Sequence, residues 1–157
     1  MKRNIRKAVP EDAQIIVAFN SAMARETEGI VLQPGRIAKG VKTLLHDSSL
    51  GFYLLAEEDG EPIASLMITT EWSDWRNGLF WWIQSVYVKE EKRRQGVFRD
   101  LYQAVTELAA KAPQVCGFRL YVEHENHTAQ KTYQSLGLAE TRYRLFEQTM
   151  GDTSFFS

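Results

Sequence analysis

Arg93, Arg94, Gln95 and Gly96 stand between an apolar run, Phe80–Val88 (FWWIQSVYV), and a stretch in which Val97, Leu101, Val105 and Leu108 recur at helical spacing. A strand that turns into a helix here leaves the first backbone N–H groups of that helix without intrahelical partners, and such a terminus attracts anions. Gly96 lets a ligand approach the main chain closely, and guanidinium groups bring permanent charge and forked donors that match phosphate oxygens. The segment reads either as a phosphate cradle or as a solvated basic helix start. Two familiar phosphate loops are excluded. GxGxxG is absent, and in Gly35–Lys42 (GRIAKGVK) the lysine falls one place too late for GxxxxGK followed by Ser or Thr.

The elements that must hold this junction follow from periodicity. Phe80–Val88 is β-favouring on both alternate faces apart from Gln84 and Ser85, as in a central strand covered on both sides. Before it, Gly51–Ala56 and Ile63–Thr70 are β-rich runs joined across Asp59-Gly60, a strong hairpin signal. A tryptophan-rich loop, Glu71–Gly78, leads into the central strand and completes an antiparallel meander. Further upstream, a short strand over Asn4–Ala8 precedes a helix opened by Pro10, with Ile16, Phe19 and Met23 on its buried face. A second helix spans about Pro34 to His46. Downstream, a helix from about Val97 to Lys111 is followed by a strand, Gly117–Glu123, which the crossover makes parallel to the central one. Thr128–Leu136 reads as a short helix, Ala139–Met150 as a final strand and Gly151–Ser157 as a loose tail.

Composition narrows the function. The 157 residues suit one domain, and a net charge of −1 with 25% charged residues argues against a broad footprint for nucleic acid or an anionic membrane. Cys116 is the only cysteine, so no internal disulfide forms and a reducing compartment fits. The basic N-terminus is not followed by an apolar run of signal-peptide length, and no segment is long enough to span a bilayer. A cytoplasmic protein is expected. His46, His124 and His127 make no metal-ligand pattern, so no metal is expected.

With these residues in place, the loop Arg93-Arg94-Gln95-Gly96-Val97-Phe98 resembles motif A of the GNAT superfamily of N-acetyltransferases, a Q/R-x-x-G-x-G/A loop. Phe98 departs from the small residue usual at the last position. Val122–Leu138 (VEHENHTAQKTYQSLGL) resembles motif B, with Asn126, Ala129, Tyr133 and Gly137 at the usual spacing. Two blocks in the right order are more specific than either alone, and the resemblance covers roughly residues 3–149.

The resemblance implies an α/β (α+β) fold, a mixed, largely antiparallel sheet of six or seven strands flanked by helices, with two parallel central strands splayed apart. It implies a single N-acetyltransferase domain over residues 1–157 that uses acetyl-CoA. Main-chain groups of Val86, Tyr87 and Val88 would bind the pantetheine arm, and the loop from Arg93 to Phe98, through Arg94, Gln95, Gly96 and Val97, the pyrophosphate. Splayed strands offer unpaired N–H and C=O groups that an amide-rich arm satisfies as a strand would. Asn126 would contact the cofactor, although its place before a helix also suits it as a cap. Tyr133 would protonate the departing CoA thiolate, or else pack as a half-buried side chain.

The reaction implied is attack of a neutral small-molecule amine on the thioester, which needs a base for the ammonium proton. Many family members carry a glutamate near the position of Gln84, and a glutamine can only orient water or substrate. Glu123 is the base candidate taken here, beside His124, Glu71, Asp74, Glu26 and Glu28, each of which also reads as a solvated surface group. Acids grouped at one mouth would favour a cationic amine, and a rim tryptophan among Trp72, Trp75, Trp81 and Trp82 could hold it by cation–π attraction. The alternative is a non-catalytic acyl-CoA-binding sensor or interaction module of the same fold. No nucleic-acid or membrane partner is expected; the oligomeric state is open, with a homodimer among the options.

Overall fold

The computed structural model of the protein describes residues 3–151. Leu54 and Leu55 are adjacent and fully buried, yet they pack into different cores. The two-residue period of a strand requires this of a sheet covered on both faces. In chain order the elements are β1 (Arg3–Lys7), a 3-10 turn at Pro10–Asp12, α1 (Ala13–Glu28), α2 (Pro34–His46), β2 (Phe52–Glu58) and β3 (Glu61–Ser73). They continue with β4 (Gly78–Val88), α3 (Val97–Ala110), β5 (Val115–Arg119) and α4 (His127–Ser135). The sheet runs β1-β2-β3-β4-β5, antiparallel throughout except for the parallel pair β4 and β5.

Local chemistry explains most boundaries. Asp59 and Gly60 sit at φ 52° and 79°, the paired positive values that match a two-residue turn to strand twist. Gly29 ends α1 in the left-handed region at φ 66°, its N–H bonded back to the last turn. On one face α1 and α2 bury Ile16, Phe19, Val41 and Leu44 against Tyr53 and Leu55. On the other, Val97, Leu101 and Val105 of α3 pack on Leu54, Leu66, Ile68, Trp81 and Ile83. The basic loop is thereby held at the edge of a fully packed layer.

Three expectations need correcting. The sheet has five strands among the described residues, and not six or seven, because Ala139–Met150 forms no ladder with any of them. The strand expected at Gly117–Glu123 is β5, which starts at Val115 and stops at Arg119 because β4 offers it no partner beyond Trp82. The tryptophan-rich loop shrinks to a tight turn, since Glu71 pairs with Phe80 and Trp72 with Leu79 before the chain reverses over Asp74–Asn77. Of the tail Gly151–Ser157, everything past Gly151 lies outside the described residues.

Leu101 is fully buried at the centre of the α3 layer. Leu101→Ala is expected to lower unfolding free energy by about 2–5 kcal/mol, through lost transfer energy and the cavity left behind. Urea denaturation checks this; a loss below about 1 kcal/mol would mean that the layer collapses to refill the space.

Candidate active site

β4 holds β3 along its whole length but β5 only from Leu79 to Trp82. The cause lies within β4. Met67 pairs with Gln84 and Ser65 with Tyr87, so Leu66 alone faces both Ser85 and Val86. This bulge places Ser85 at φ 52°, in a region non-glycine residues seldom occupy. Bulges bend the strand and deepen its twist, and here the bend carries Val86–Val88 away from the line of β5. The β5-facing edge of β4 therefore bears no ladder from Ile83 to Val88. Val86 and Val88 pack their side chains toward α3, and Tyr87 packs against Phe19 with ring centroids 5.4 Å apart.

Past Val88 the chain makes a short turn and enters the basic loop. Arg94 at φ 63° and Gly96 at φ 77° both lie in the left-handed region. Alternation of this kind turns main-chain N–H groups to one side and makes anion-binding concavities. None of the six N–H groups from Arg94 to Arg99 donates to an acceptor among the described residues; the first helical bond is Asp100 N–H to Gly96 O at 3.1 Å. A cleft of about 600 Å³ opens over these groups, walled by Val88, Arg94, Gly96, Phe98 and Arg99 on one side and by Thr128 and Thr132 of α4 on the other.

The arginines divide. Arg94 and Arg99 line the cleft, and neither makes an ion pair among the described residues. Arg93 is already engaged: its Nε donates to Val88 O at 2.9 Å, and its guanidinium meets Glu26 at 2.6 Å. Tyr87 donates its hydroxyl to the same carboxylate at 2.9 Å. Arg93, then Tyr87, hold the Glu26 carboxyl below the usual range, while burial and Glu26 push the Tyr87 phenol up.

A second set of charges fixes the loop from behind. Arg3 of β1 donates to Gln95 O at 2.7 Å, to Asp100 at 2.7 Å and to the buried Glu58 at 3.0 Å. Lys92 completes this set, 2.8 Å from the other oxygen of Glu58. The loop is thus tied through main chain and side chain to two strands of the sheet.

The remaining expected residues fall into place as follows. Asn126 caps α4, accepting from Ala129 N–H at 3.1 Å. Phe98 turns its ring onto Tyr133, edge to face with centroids 5.5 Å apart. Tyr133 is half-buried and desolvation raises its pKa, which keeps the hydroxyl protonated at neutral pH. Gln84 donates to Thr69 Oγ1 at 2.7 Å. Glu123 is exposed beyond the end of β5, and one oxygen accepts from Glu125 N–H at 2.7 Å.

Glu71 accepts from Trp82 Nε1 at 2.8 Å and pairs with Arg119 at 2.9 Å, which together lower its pKa. Trp81 is core, whereas Trp75 is 89% exposed. Lys92, Arg99, Thr128 and Thr132 escaped the sequence reading; the third arginine of RRQGVFR was the signal available for Arg99. Ser85 gives no such signal, since nothing in a serine's chemistry asks for a bulge. Among the described residues no group of three or more His, Cys, Asp or Glu side chains could hold a metal ion, and no helix is long and apolar enough to cross a membrane.

Parted parallel strands beside a helix-capping cradle of unpaired N–H groups define an acyltransferase fold. The chain belongs to the acetyltransferase (GNAT) family, whose model matches residues 18–138. It is similar to the crystal structure of a possible acetyltransferase from Clostridium difficile 630, at 42% identity and a TM-score of 0.89, over 97% of this chain and 100% of that one. A predicted acetyltransferase from Clostridium acetobutylicum, solved with acetyl-CoA, shares 19% identity at a TM-score of 0.77, over 94% of this chain and 96% of that one. AAC(6')-Iy, solved with a bisubstrate analogue, shares 16% at 0.79, over 96% and 100%. A comparison with curated proteins found no match.

Two predictions follow from the loop. Arg94→Ala with Arg99→Ala is expected to weaken CoA more than a pantetheine fragment lacking phosphates, because charge-assisted contacts are worth about twice neutral ones. Equal losses by calorimetry would place the phosphates elsewhere.

The second concerns pH. Lys92, then Arg3, hold the Glu58 carboxyl below the usual glutamate range. Its contribution to stability is therefore present above the unfolded value of about 4.3 and lost as pH falls through the lower folded value. Glu58→Gln is expected to flatten the fall in stability over that acid window; an unchanged profile in urea melts would show that the ion cluster is uncoupled from folding.

Proposed function

We propose that the protein is an acetyl-CoA-dependent N-acetyltransferase, a single N-acetyltransferase domain that moves an acetyl group to a small amine by direct attack on the thioester. The observation that carries this reading is the row of unpaired N–H groups from Arg94 to Arg99 lying beside the unladdered edge of Ile83–Val88. A diphosphate and an amide-bearing arm are what such a row and such an edge accept together. In this reading Val86, Tyr87 and Val88 meet the arm through their main chain, while Arg94, Gln95, Gly96, Val97 and Phe98 meet the pyrophosphate through theirs. Arg93 holds Val88 O, and Asn126 caps α4, whose Thr128 and Thr132 wall the cleft.

The amine nitrogen forms its bond to the carbonyl carbon as the carbon–sulfur bond breaks, so one proton leaves nitrogen and one reaches sulfur. Tyr133 serves the sulfur. A thiol of pKa about 8.5 is a stronger acid than a phenol of about 10, so Tyr133 acts first by hydrogen-bonding the developing thiolate. The thiolate is then protonated by solvent, which matches the proton that leaves the ammonium. Gln84, held by Thr69, orients the amine. Glu26 and Glu71 are weakened as bases by the partners that lower their pKa values. Glu123 has a main-chain bond and no cationic partner among the described residues, and takes the proton through solvent.

The second reading, an acyl-CoA-binding sensor or interaction module, is favoured by the engagement of Gln84, Glu26 and Glu71 in bonds of their own. Release of free CoA across a panel of amines decides between the two. Tyr133→Phe then tests the acid: removing the hydroxyl is expected to lower the single-turnover rate by about 10² to 10⁴-fold with little change in acetyl-CoA affinity. Wild-type rates in that variant would make Tyr133 a packing residue for Phe98.

A further inference from the structure

Arg3 and Glu58 stand directly opposite each other across the antiparallel pair β1 and β2, and Ile5, two residues on from Arg3, packs in the α3 layer. The two-residue period of a strand therefore turns Arg3 to that same face, toward the start of α3. Arg3 stands outside the cleft that Val88, Gly96 and Phe98 wall. It reaches the basic loop from behind, and all three of its guanidinium nitrogens donate: Nε to Glu58 at 3.0 Å, Nη1 to Asp100 at 2.7 Å and Nη2 to Gln95 O at 2.7 Å. Glu58 is 6% exposed, and its second oxygen lies 2.8 Å from Lys92 Nζ. The carboxylate that anchors Arg3 thus also holds a cation of the cleft wall.

The bond to Gln95 O acts on the front of the loop through the peptide unit, which is planar and trans, so that its C=O and N–H point in opposite directions. A donor that draws Gln95 O back toward β1 turns the Gly96 N–H forward, and that N–H has no acceptor among the described residues. The next unit is fixed in the same way: Gly96 O accepts from Asp100 N–H at 3.1 Å, and the Val97 N–H faces away from the helix. Arg3 also grips the Asp100 carboxylate, so both units are tied to one side chain.

We propose that Arg3 is the positioning residue of the anion cradle, which by holding Gln95 O and Asp100 against β2 aims the Gly96 and Val97 N–H groups at the diphosphate of CoA. The proposal rests on the loop's being the pyrophosphate site. Arg94 and Gly96, both left-handed, leave the loop a route to relax. Three bonds from one planar fork, itself seated on a buried carboxylate, keep the donors in place before an anion arrives, and donors ordered in advance bind more tightly.

Calorimetric titration with CoA, and with a pantetheine fragment lacking the phosphates, tests this. Arg3→Ala is expected to weaken CoA by about 10- to 100-fold, the contribution of one hydrogen bond to a charged group, and to leave the fragment unaffected. In turnover, KM for acetyl-CoA is expected to rise with kcat unchanged, because the diphosphate is held equally in ground and transition states. Arg3→Lys keeps the charge but loses the fork, and one ammonium cannot meet Gln95 O, Asp100 and Glu58 together; it too is expected to weaken CoA, and it carries the test if Arg3→Ala does not fold. A lower urea midpoint with wild-type CoA affinity in either folded variant would make Arg3 an anchor of the fold alone and overturn the proposal, as would equal losses for CoA and the fragment.

Salt separates aiming from attraction at a distance. The ratio of wild-type to Arg3→Ala affinity is expected to hold in about 1 M salt, where the Debye length falls from about 10 Å to about 3 Å. A ratio that falls to one would show that Arg3 acts only as a charge, and overturns the proposal. A wild type that binds no CoA would remove the parent reading and this one with it, whereas wild-type binding with unaffected Arg3 variants removes this one alone.

Discussion

The structure depends on one strand changing company along its length. β4 is paired on both sides at its start and on one side at its end, and the bulge at Ser85 and Val86 marks the crossing point. A backbone residue held at φ 52° without glycine costs about 1–3 kcal/mol, so the packed layers on either face must over-determine it. They do so on both sides of the bulge, since Ile83 is buried among the α3 contacts while Tyr87 packs on Phe19 of α1. The bend turns an ordinary sheet into one with a hydrogen-bonding slot, and the strand's continuation delivers the chain to the basic loop at the slot's end.

That loop illustrates how a concave row of donors is kept from collapsing. Two left-handed residues, Arg94 and Gly96, would gain chain entropy by relaxing, and like charges gathered at Lys92, Arg93, Arg94 and Arg99 repel one another. Three of the carboxylates nearest the loop answer this repulsion from outside the cleft: Glu58 beneath Lys92, Asp100 beside Arg3 and Glu26 against Arg93. Lys92, Arg93, Arg94 and Arg99 all line the cavity, and of these Arg94 and Arg99 have no ion-pair partner among the described residues. Unpaired positive charge thus stands at the wall of the cleft, so a chain with a net charge of −1 can present an anion site there.

Much of this was legible in the residues because it rests on local rules. Asp59-Gly60 demanded a two-residue turn, FWWIQSVYV could only be a doubly covered strand, and Asn126 caps the helix that follows it. The internal partners of Arg93, Val88 O and Glu26, were not legible, because tertiary structure alone brings them together. The strand expected at Ala139–Met150 shows the limit from the other direction. Tyr143, Leu145 and Phe146 favour a strand, but the segment finds no ladder among the described residues, and a strand's pairing partner is not written in its own residues.

Arg93 joins the two halves of the site. Its Nε holds the last carbonyl of β4, at the end of the slot, while its guanidinium holds the last turn of α1 through Glu26. Tyr87, on the same carboxylate, comes from the strand between them. A displacement of α1 at Glu26 therefore reaches Val88, and through it the first residues of the loop, by way of two hydrogen bonds and no intervening flexible segment. Each bond is exposed and of modest strength alone, but both end on a planar guanidinium, whose fork cannot meet one partner out of line without losing the other. Arg93 is thus a direct link between the helical cover and the anion cradle, beside the ties that Arg3 and Lys92 make from behind.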